Sequence, residues 1–341
     1  MISEEIWYPK HLSLEQCSSE ITARYKARLS QGDSLTDLTG GFGIDCSFLA
    51  TGFKSATYVE RQEELCEIAA HNFPILNLNH INVRNEDGVA YLQTMSPVDC
   101  IFLDPARRNE HGGKTVSIAD CEPNVAELED LLLSKASRIM IKLSPMLDLS
   151  LALKELKHTQ EVHILSVNNE CKELLILLGQ TSPAEITIHC VNLFTKGTQE
   201  EQHFVFTREQ EQRSQCTYTD SLGDYLYEPN ASLLKAGAFR SIAAAYPVRK
   251  LHPNSHLYTS DTFIENFPGR IFRIVNQCSF NKKEVKENLA DLKKANVTVR
   301  NFPATVAELR KRLHLTEGGD TYLFASTLNN GQKVIIRCEK V

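Results

Sequence analysis

The sequence predicts an α/β fold built on a doubly wound, mostly parallel sheet, and three observations predict it. From Asp33 onward, short apolar runs alternate with stretches of helical periodicity, the rhythm of crossover units. A Gly-rich turn, Gly40 to Gly43, follows the first run closely. Acidic or polar residues close four successive runs, which would set them along one edge of the sheet.

The elements follow in order. Residues 1 to 30 read as helix, because Ile21, Tyr25 and Leu29 recur at spacings of four and no Gly interrupts them. Strands are predicted at Ser34 to Leu38, Ala56 to Val59, Asn79 to Val83, Cys100 to Leu103, Ile139 to Leu143 and His163 to Val167. Glu185 to Leu193 and Gln202 to Thr207, joined by the turn-like Lys196-Gly-Thr198, read as an antiparallel hairpin closing the sheet. Arg208 to Gln215 is polar enough for a linker or solvated turn. A small unit spans Tyr227 to Phe267, with a helix at Ala231 to Ala245 and a Pro/Asn/His-rich loop at Tyr246 to His256. The last unit begins near Pro268-Gly269. It reads strand (Arg270 to Asn276), helix (Lys282 to Ala295), strand (Val297 to Asn301), helix (Thr305 to Leu313) and two strands (Tyr322 to Ser326, Lys333 to Cys338) around Asn330-Gly331. The expected organisation is therefore 1–32 as a helical extension, 33–210 as the sheet domain, then 225–268 and 269–341 as small α+β units.

Composition narrows the function classes. The longest aliphatic run, Leu174 to Leu178, is far short of the roughly 20 apolar residues that cross a bilayer, so no membrane partner is expected. The first ten residues lack the basic-then-apolar layout of a secretory signal, which predicts a cytoplasmic protein. Ten cysteines with no CxxC pair and no close Cys/His cluster predict reduced, mostly buried thiols and no metal site. Charge is uneven along the chain. Residues 1 to 225 hold 33 acidic and 19 basic side chains, a balance of −14, whereas residues 226 to 341 hold 10 and 18, a balance of +8. A basic module on an acidic one suits a polyanion, nucleic acid first. The competing reading is a solvated charged face.

The candidate chemistry sits at the strand ends. In Leu35-Thr-Asp-Leu-Thr-Gly-Gly-Phe-Gly-Ile-Asp45 a strand ends in Asp37 and opens into Thr39, Gly41 and Gly43, where backbone N–H groups can approach a ligand. A dinucleotide fingerprint would require Gly where Cys46 stands. The second strand ends in Glu60, suited to accept both hydroxyls of a ribose. Asn85-Glu-Asp87-Gly follows the third strand, and Asp104-Pro-Ala-Arg-Arg108 the fourth.

These motifs resemble those of class I methyltransferases that use S-adenosylmethionine, over roughly Asp33 to Arg208. The resemblance implies a Rossmann-like methyltransferase sheet, with Asp37, Thr39, Gly41 and Gly43 holding the methionine part of the cofactor, Glu60 the ribose and Asp87 the adenine. Asp104-Pro-Ala-Arg107 matches the D-P-A-R form of the motif that binds the group to be methylated, which makes Asp104, Pro105 and Arg107 the expected catalytic residues, Asp104 also facing the cofactor. With Lys142-Leu-Ser-Pro-Met-Leu-Asp148, Asn169-Glu-Cys-Lys-Glu173 and Arg300-Asn-Phe-Pro303, nearly the whole chain resembles a bacterial methyltransferase family with a small ferredoxin-like domain (225–268) and a C-terminal THUMP-like domain (269–341). True THUMP domains bind structured RNA, so rRNA or tRNA is the implied partner, in agreement with the +8 balance.

Two mechanisms are open. A base amine would give its N–H bonds to Asp104 and the Pro105 carbonyl. A pyrimidine carbon would require a cysteine thiolate, for which Cys171, read near a helix start, is the candidate; the alternative is a buried helix cysteine. Arg107 and Arg108, with His111 and Lys114, are expected either to contact substrate phosphates or to form a salt-bridged turn. Lys142 and Ser144 would line the target pocket, unless Ser144 caps a helix. The rival functions are a protein or small-molecule methyltransferase and a non-catalytic S-adenosylmethionine- or RNA-binding protein.

Overall fold

A computed structural model describes residues 5–9, 17–107, 117–197 and 200–341. The chain divides into two compact units, Met1–Glu201 and Gln202–Val341.

The first unit alternates as expected: α1 (Glu20–Arg28), β1 (Gly32–Asp37), α2 (Ile44–Leu49), β2 (Phe53–Glu60), α3 (Glu63–Ile75), β3 (Ile81–Asn85), α4 (Gly88–Thr94) and β4 (Val98–Leu103). A short pair, β5 (Ala106–Arg107) and β6 (Cys121–Glu122), precedes α5 (Val125–Lys135), β7 (Ala136–Leu143), α6 (Leu149–Glu155), β8 (Thr159–Val167), β9 (Glu170–Gly179) and β10 (Thr187–Leu193). With β11 (Glu201–Thr207) these form a nine-stranded sheet in the order β11-β10-β8-β9-β7-β4-β1-β2-β3. The neighbours from β3 to β7 all pair in parallel, so their carboxyl ends share one edge. Leu35, Leu49, Ala50, Phe53, Phe102 and Met140 form a buried cluster over the middle of the sheet.

Two expectations for this unit need correction. Within the expected helix over residues 1 to 30, only Glu20–Arg28 is helical among the described residues; residues 1–4 and 10–16 lie outside them. Residues 5–9 are not helical; Trp7 exchanges hydrogen bonds with the Asn72 side chain (2.9 and 3.0 Å) and stacks on His71, which satisfies its backbone groups outside a helix. Second, Cys171 lies not at a helix start but in β9, the strand inserted antiparallel between β7 and β8. Its aliphatic run is buried on both faces and carries no alternation, so period alone cannot separate strand from helix. The two strands of the expected closing hairpin are neighbours, β11 at the sheet edge and β10 inside it, and β10 runs parallel to β8.

The second unit holds α7 (Arg208–Arg213), β12 (Tyr225–Pro229), α8 (Ala231–Ala236), α9 (Phe239–Ala245), β13 (Arg249–Lys250), β14 (Tyr258–Ser260), β15 (Gly269–Ser279), α10 (Lys282–Leu289), β16 (Asn296–Val299), α11 (Val306–Leu313), β17 (Thr321–Thr327) and β18 (Lys333–Lys340). The expected linker is α7, whose Glu211 carboxylate accepts the N–H groups of Phe239, Arg240 and Ser241 at the start of α9. The expected single helix from Ala231 to Ala245 breaks at Gly237, whose φ of +76° ends α8. Seven strands form one sheet, β13-β14-β12-β15-β18-β17-β16. The two small units share this sheet through antiparallel β12 and β15, and share one core in which Leu226, Leu251 and Leu257 pack with Phe272, Phe324 and Ile336.

Candidate active site

Parallel register brings the expected residues to one edge of the first unit. Asp37 pairs with Tyr58 on one side and Phe102 on the other, while Glu60 pairs with Asn85 and Leu103 with Ile141. One step past the last pair, Asp104 and Lys142 become neighbours.

The Gly-rich turn is shaped by what lies under it. A Cβ at Gly40 would overlap the buried Tyr58 ring, whose hydroxyl donates to the Gly41 carbonyl. Gly41 and Gly43 have φ of +52° and +82°, a region that favours glycine. Glu60 secures the turn from β2: one oxygen accepts the Gly41 N–H at 2.9 Å and the other the Gln62 N–H at 2.9 Å. Asp37 accepts the Thr39 N–H at 3.0 Å. Burial pushes the Asp37 carboxyl up to about 8; the Thr39 bond opposes this, and Asp45, Asp104 and Glu60 add to it. The Thr39 hydroxyl in turn accepts the backbone N–H of Asp104 at 2.6 Å, which joins the turn to the fourth-strand motif.

Asp104 is the most open of the central acids, with 36% of its side chain exposed. Desolvation raises its carboxyl and the adjacent Lys142 ammonium, 2.6 Å away, opposes the rise. Solvent tempers both effects at that exposure. Lys142 also lies 3.4 Å from Asp45 in the first turn of α2. Asp45 meets Lys26 of α1 at 2.9 Å, and Lys26 meets Glu173 of β9 at 2.7 Å. The Lys26 side chain is wholly buried, and it also donates to Ser18 at 2.8 Å. The result is a row of alternating charge, Asp104, Lys142, Asp45, Lys26, Glu173. Attractive partners hold Asp45 below the usual carboxylate range, and the net effect of Asp104, Asp45 and Glu173 on Lys142 is to raise it against burial. Cys17, its thiol pushed up by burial, also lies within electrostatic reach of Lys142, Asp45 and Asp104.

Sequence reasoning singled out Asp104 and Lys142 but passed over Lys26, Asp45, Glu173 and Cys17. Asp45 stands inside the Gly-rich stretch and Glu173 inside Asn169-Glu-Cys-Lys-Glu173, yet only the antiparallel placement of β9 and the packing of α1 bring them together. Asp87 is exposed, and its carboxylate caps α4 by accepting from Val89 and Ala90 at 3.0 Å. The Ser144 hydroxyl accepts from the Met146 N–H at 3.3 Å, and Asp148, not Ser144, caps α6. Pro105 is buried, and the backbone at Arg107 pairs with Cys121. Arg108, His111 and Lys114 lie outside the described residues.

Among the described residues, one group could invite a metal: Glu161, His163 and His189, with ligand atoms within 4.8 Å of one another. The two imidazoles stack 4.2 Å apart and 8° from parallel, so their in-plane lone pairs do not converge on one ion. His163 instead links the Tyr25 hydroxyl (2.8 Å) to the Glu161 carboxylate (3.1 Å).

In the second unit several of the basic side chains behind the +8 balance are already paired. Buried Glu228 takes both Arg270 and Arg300, while Arg249 meets Asp261, Arg273 meets Glu339 and Arg310 meets Glu317. Lys250 is buried and donates to the His252 and Pro253 carbonyls; desolvation lowers its ammonium to about 8. Phe239 and Phe272 stand in stacked or packed pairs with His256 and Tyr322.

The ferredoxin-like domain family matches residues 225–268, and the THUMP domain-like family matches residues 269–340. The crystal structure of a candidate methyltransferase from Porphyromonas gingivalis W83 is 38% identical, covers 98% of this chain and 84% of its own, and superposes with a TM-score of 0.89. A modification subunit of a candidate type I restriction enzyme from Vibrio vulnificus YJ016 is 12% identical over 64% of this chain and 58% of its own, with a TM-score of 0.40, too distant to carry an argument. No curated protein matches the sequence significantly.

Proposed function

The chain belongs to the bacterial family of class I methyltransferases with C-terminal ferredoxin-like and THUMP-like domains, and from that premise we propose that it moves a methyl group from S-adenosylmethionine to a base nitrogen of RNA. The observation that carries this reading is the bond from Asp104 N–H to Thr39, which holds an open carboxylate beside the Gly-rich turn.

The residues present fit the cofactor. A turn in which a Cβ at Gly41 would meet only the Thr39 carbonyl, at 3.8 Å, flanked by the acids Asp37 and Glu60, suits the close approach of a ligand with an amino acid part and a ribose. Asp37, Thr39, Gly41 and Gly43 would hold the methionine part, Glu60 the ribose hydroxyls and Asp87 the adenine. When bound, S-adenosylmethionine supplies an electrophilic methyl group on a good leaving group. Asp104 and the Pro105 carbonyl accept the N–H bonds of the acceptor amine and fix the direction of its lone pair. Arg107 and Arg108 would meet the substrate's phosphates, with Lys142 and Ser144 behind the acceptor pocket. Ten cysteines without a disulfide support a reducing, cytoplasmic setting, and among the described residues no helix is long and apolar enough to cross a membrane.

RNA is supported by the +8 balance of residues 226 to 341 and by the THUMP-like match. The ion pairs that occupy several of those cations favour, as a second reading, a protein or small-molecule acceptor. Transfer of labelled methyl to RNA from a strain lacking the protein decides between them. Label that disappears with Asp104→Ala supports RNA; absence of label with cofactor binding intact moves the acceptor to the second reading.

A further inference from the structure

We propose that Lys142 is the positioning residue of this site, holding one oxygen of Asp104 so that the other meets the acceptor, and that Asp45, Lys26 and Glu173 hold Lys142 in place from behind. The proposal rests on Asp104 receiving the acceptor's N–H.

The geometry points there for three reasons. Lys142 Nζ is 2.6 Å from Asp104 Oδ2, so that oxygen is committed and Oδ1 is the one an acceptor N–H would meet. A carboxylate free to rotate would spread the acceptor over several orientations, and small misplacement is expensive in rate. Lys142 is itself constrained, since Asp45 Oδ2 lies 3.4 Å away and Asp45 is tied by Ser18 (2.8 Å) and Lys26 (2.9 Å). The row ends in Glu173, which receives Lys26 on both oxygens at 2.9 and 2.7 Å. No solvent-facing ion pair needs so many buried partners. The row also ties α1 to the reacting edge, which gives the helical segment before the sheet a part in the site.

The row governs charge as well as direction. The ionisable groups around it are Asp104 after β4, Asp37 of β1, Glu60 of β2, Asp45 of α2, Lys26 of α1, Glu173 of β9 and Cys17. Removing the Lys142 cation takes away Asp104's attractive partner, whereas removing the Asp45 charge takes away a repulsive one and leaves Lys142 to Asp104 alone. The two variants therefore move Asp104 in opposite directions, which loss of packing would not do.

The test follows the Asp104 Cγ resonance against pH in the full chain labelled with [13C]aspartate, assigned by its loss in Asp104→Asn. Lys142→Met should raise the midpoint by about one unit or more, Lys142→Arg should return it toward the parent, and Asp45→Asn should lower it. Methyl transfer to cellular RNA should fall about 100-fold in Lys142→Met while S-adenosylmethionine affinity, read by calorimetry, stays unchanged. A midpoint unmoved by Lys142→Met, or moved the same way by both variants, overturns the proposal. If Lys142→Met does not fold, the direction of the Asp45→Asn shift decides alone. Failure of the parent protein to bind S-adenosylmethionine, or to methylate RNA, refutes the functional reading instead, and the titration distinguishes the two.

Discussion

The Thr39 hydroxyl accepts the backbone N–H of Asp104 at 2.6 Å, bridging two motifs that lie 65 residues apart. The bond exists because β1 and β4 are parallel neighbours, so the turn after one meets the turn after the other. Thr39→Val keeps the shape and removes the acceptor, leaving a partly buried N–H unsatisfied at a cost of about 1 to 3 kcal/mol. We expect the methyl-transfer rate to fall more than cofactor affinity does. Steady-state kinetics with calorimetry check it; equal losses would reduce Thr39 to a cofactor contact.

Asp37 predicts an unusual dependence of stability on pH. Its carboxyl stands at 3.8 when unperturbed and at about 8 in the fold. Between those values the folded chain binds a proton that the unfolded chain has released, so stability falls as pH rises and levels off above about 8. Asp37→Asn keeps a neutral group that still accepts the Thr39 N–H. Thermal melts across that window should show the variant gaining on the parent as pH rises, and parallel curves would refute the assignment.

Lys26 predicts a large loss of stability from one exchange. Its side chain is wholly buried against carboxylates that are 4% and 11% exposed. Lys26→Met takes the buried cation from Glu173, leaves Asp45 with Lys142 and Ser18, and should cost about 3 to 5 kcal/mol. The surface pair Arg24 with Glu20, 66% and 68% exposed, offers the control. Arg24→Ala should cost only a few tenths of a kcal/mol, about what exposed helix pairs contribute. Urea unfolding of the two variants compares them directly; similar midpoints would mean that the buried row contributes little.

What was legible in the chain is what local chemistry dictates. The alternation of runs and helices, the glycines of the turn and the acids closing β1 and β2 all follow from periodicity and backbone freedom. The strand β9 was legible in principle. Asn168 and Asn169, with φ of 49° and 67°, make the tight turn that joins it to β8, and an Asn-Asn step between two apolar runs is a hairpin signal. The same aliphatic run also fits a buried helix, and no count of spacing separates them.

The charged row was not legible. Lys26, Asp45, Lys142 and Glu173 are spread over 148 residues, and although Lys142 is expected at the target pocket, nothing in the sequence joins the four. The sequence by itself determined the alternation of strands and helices from β1 to β8, the Gly-rich turn and the identity of the carboxylates, because these rest on interactions between near neighbours. Only the tertiary structure decided that Lys142 faces Asp104, that Lys26 lies buried behind Asp45, and that Arg270 and Arg300 spend their charge on Glu228. Ion pairing depends on distance and desolvation, and both are set by which strands and helices pack together.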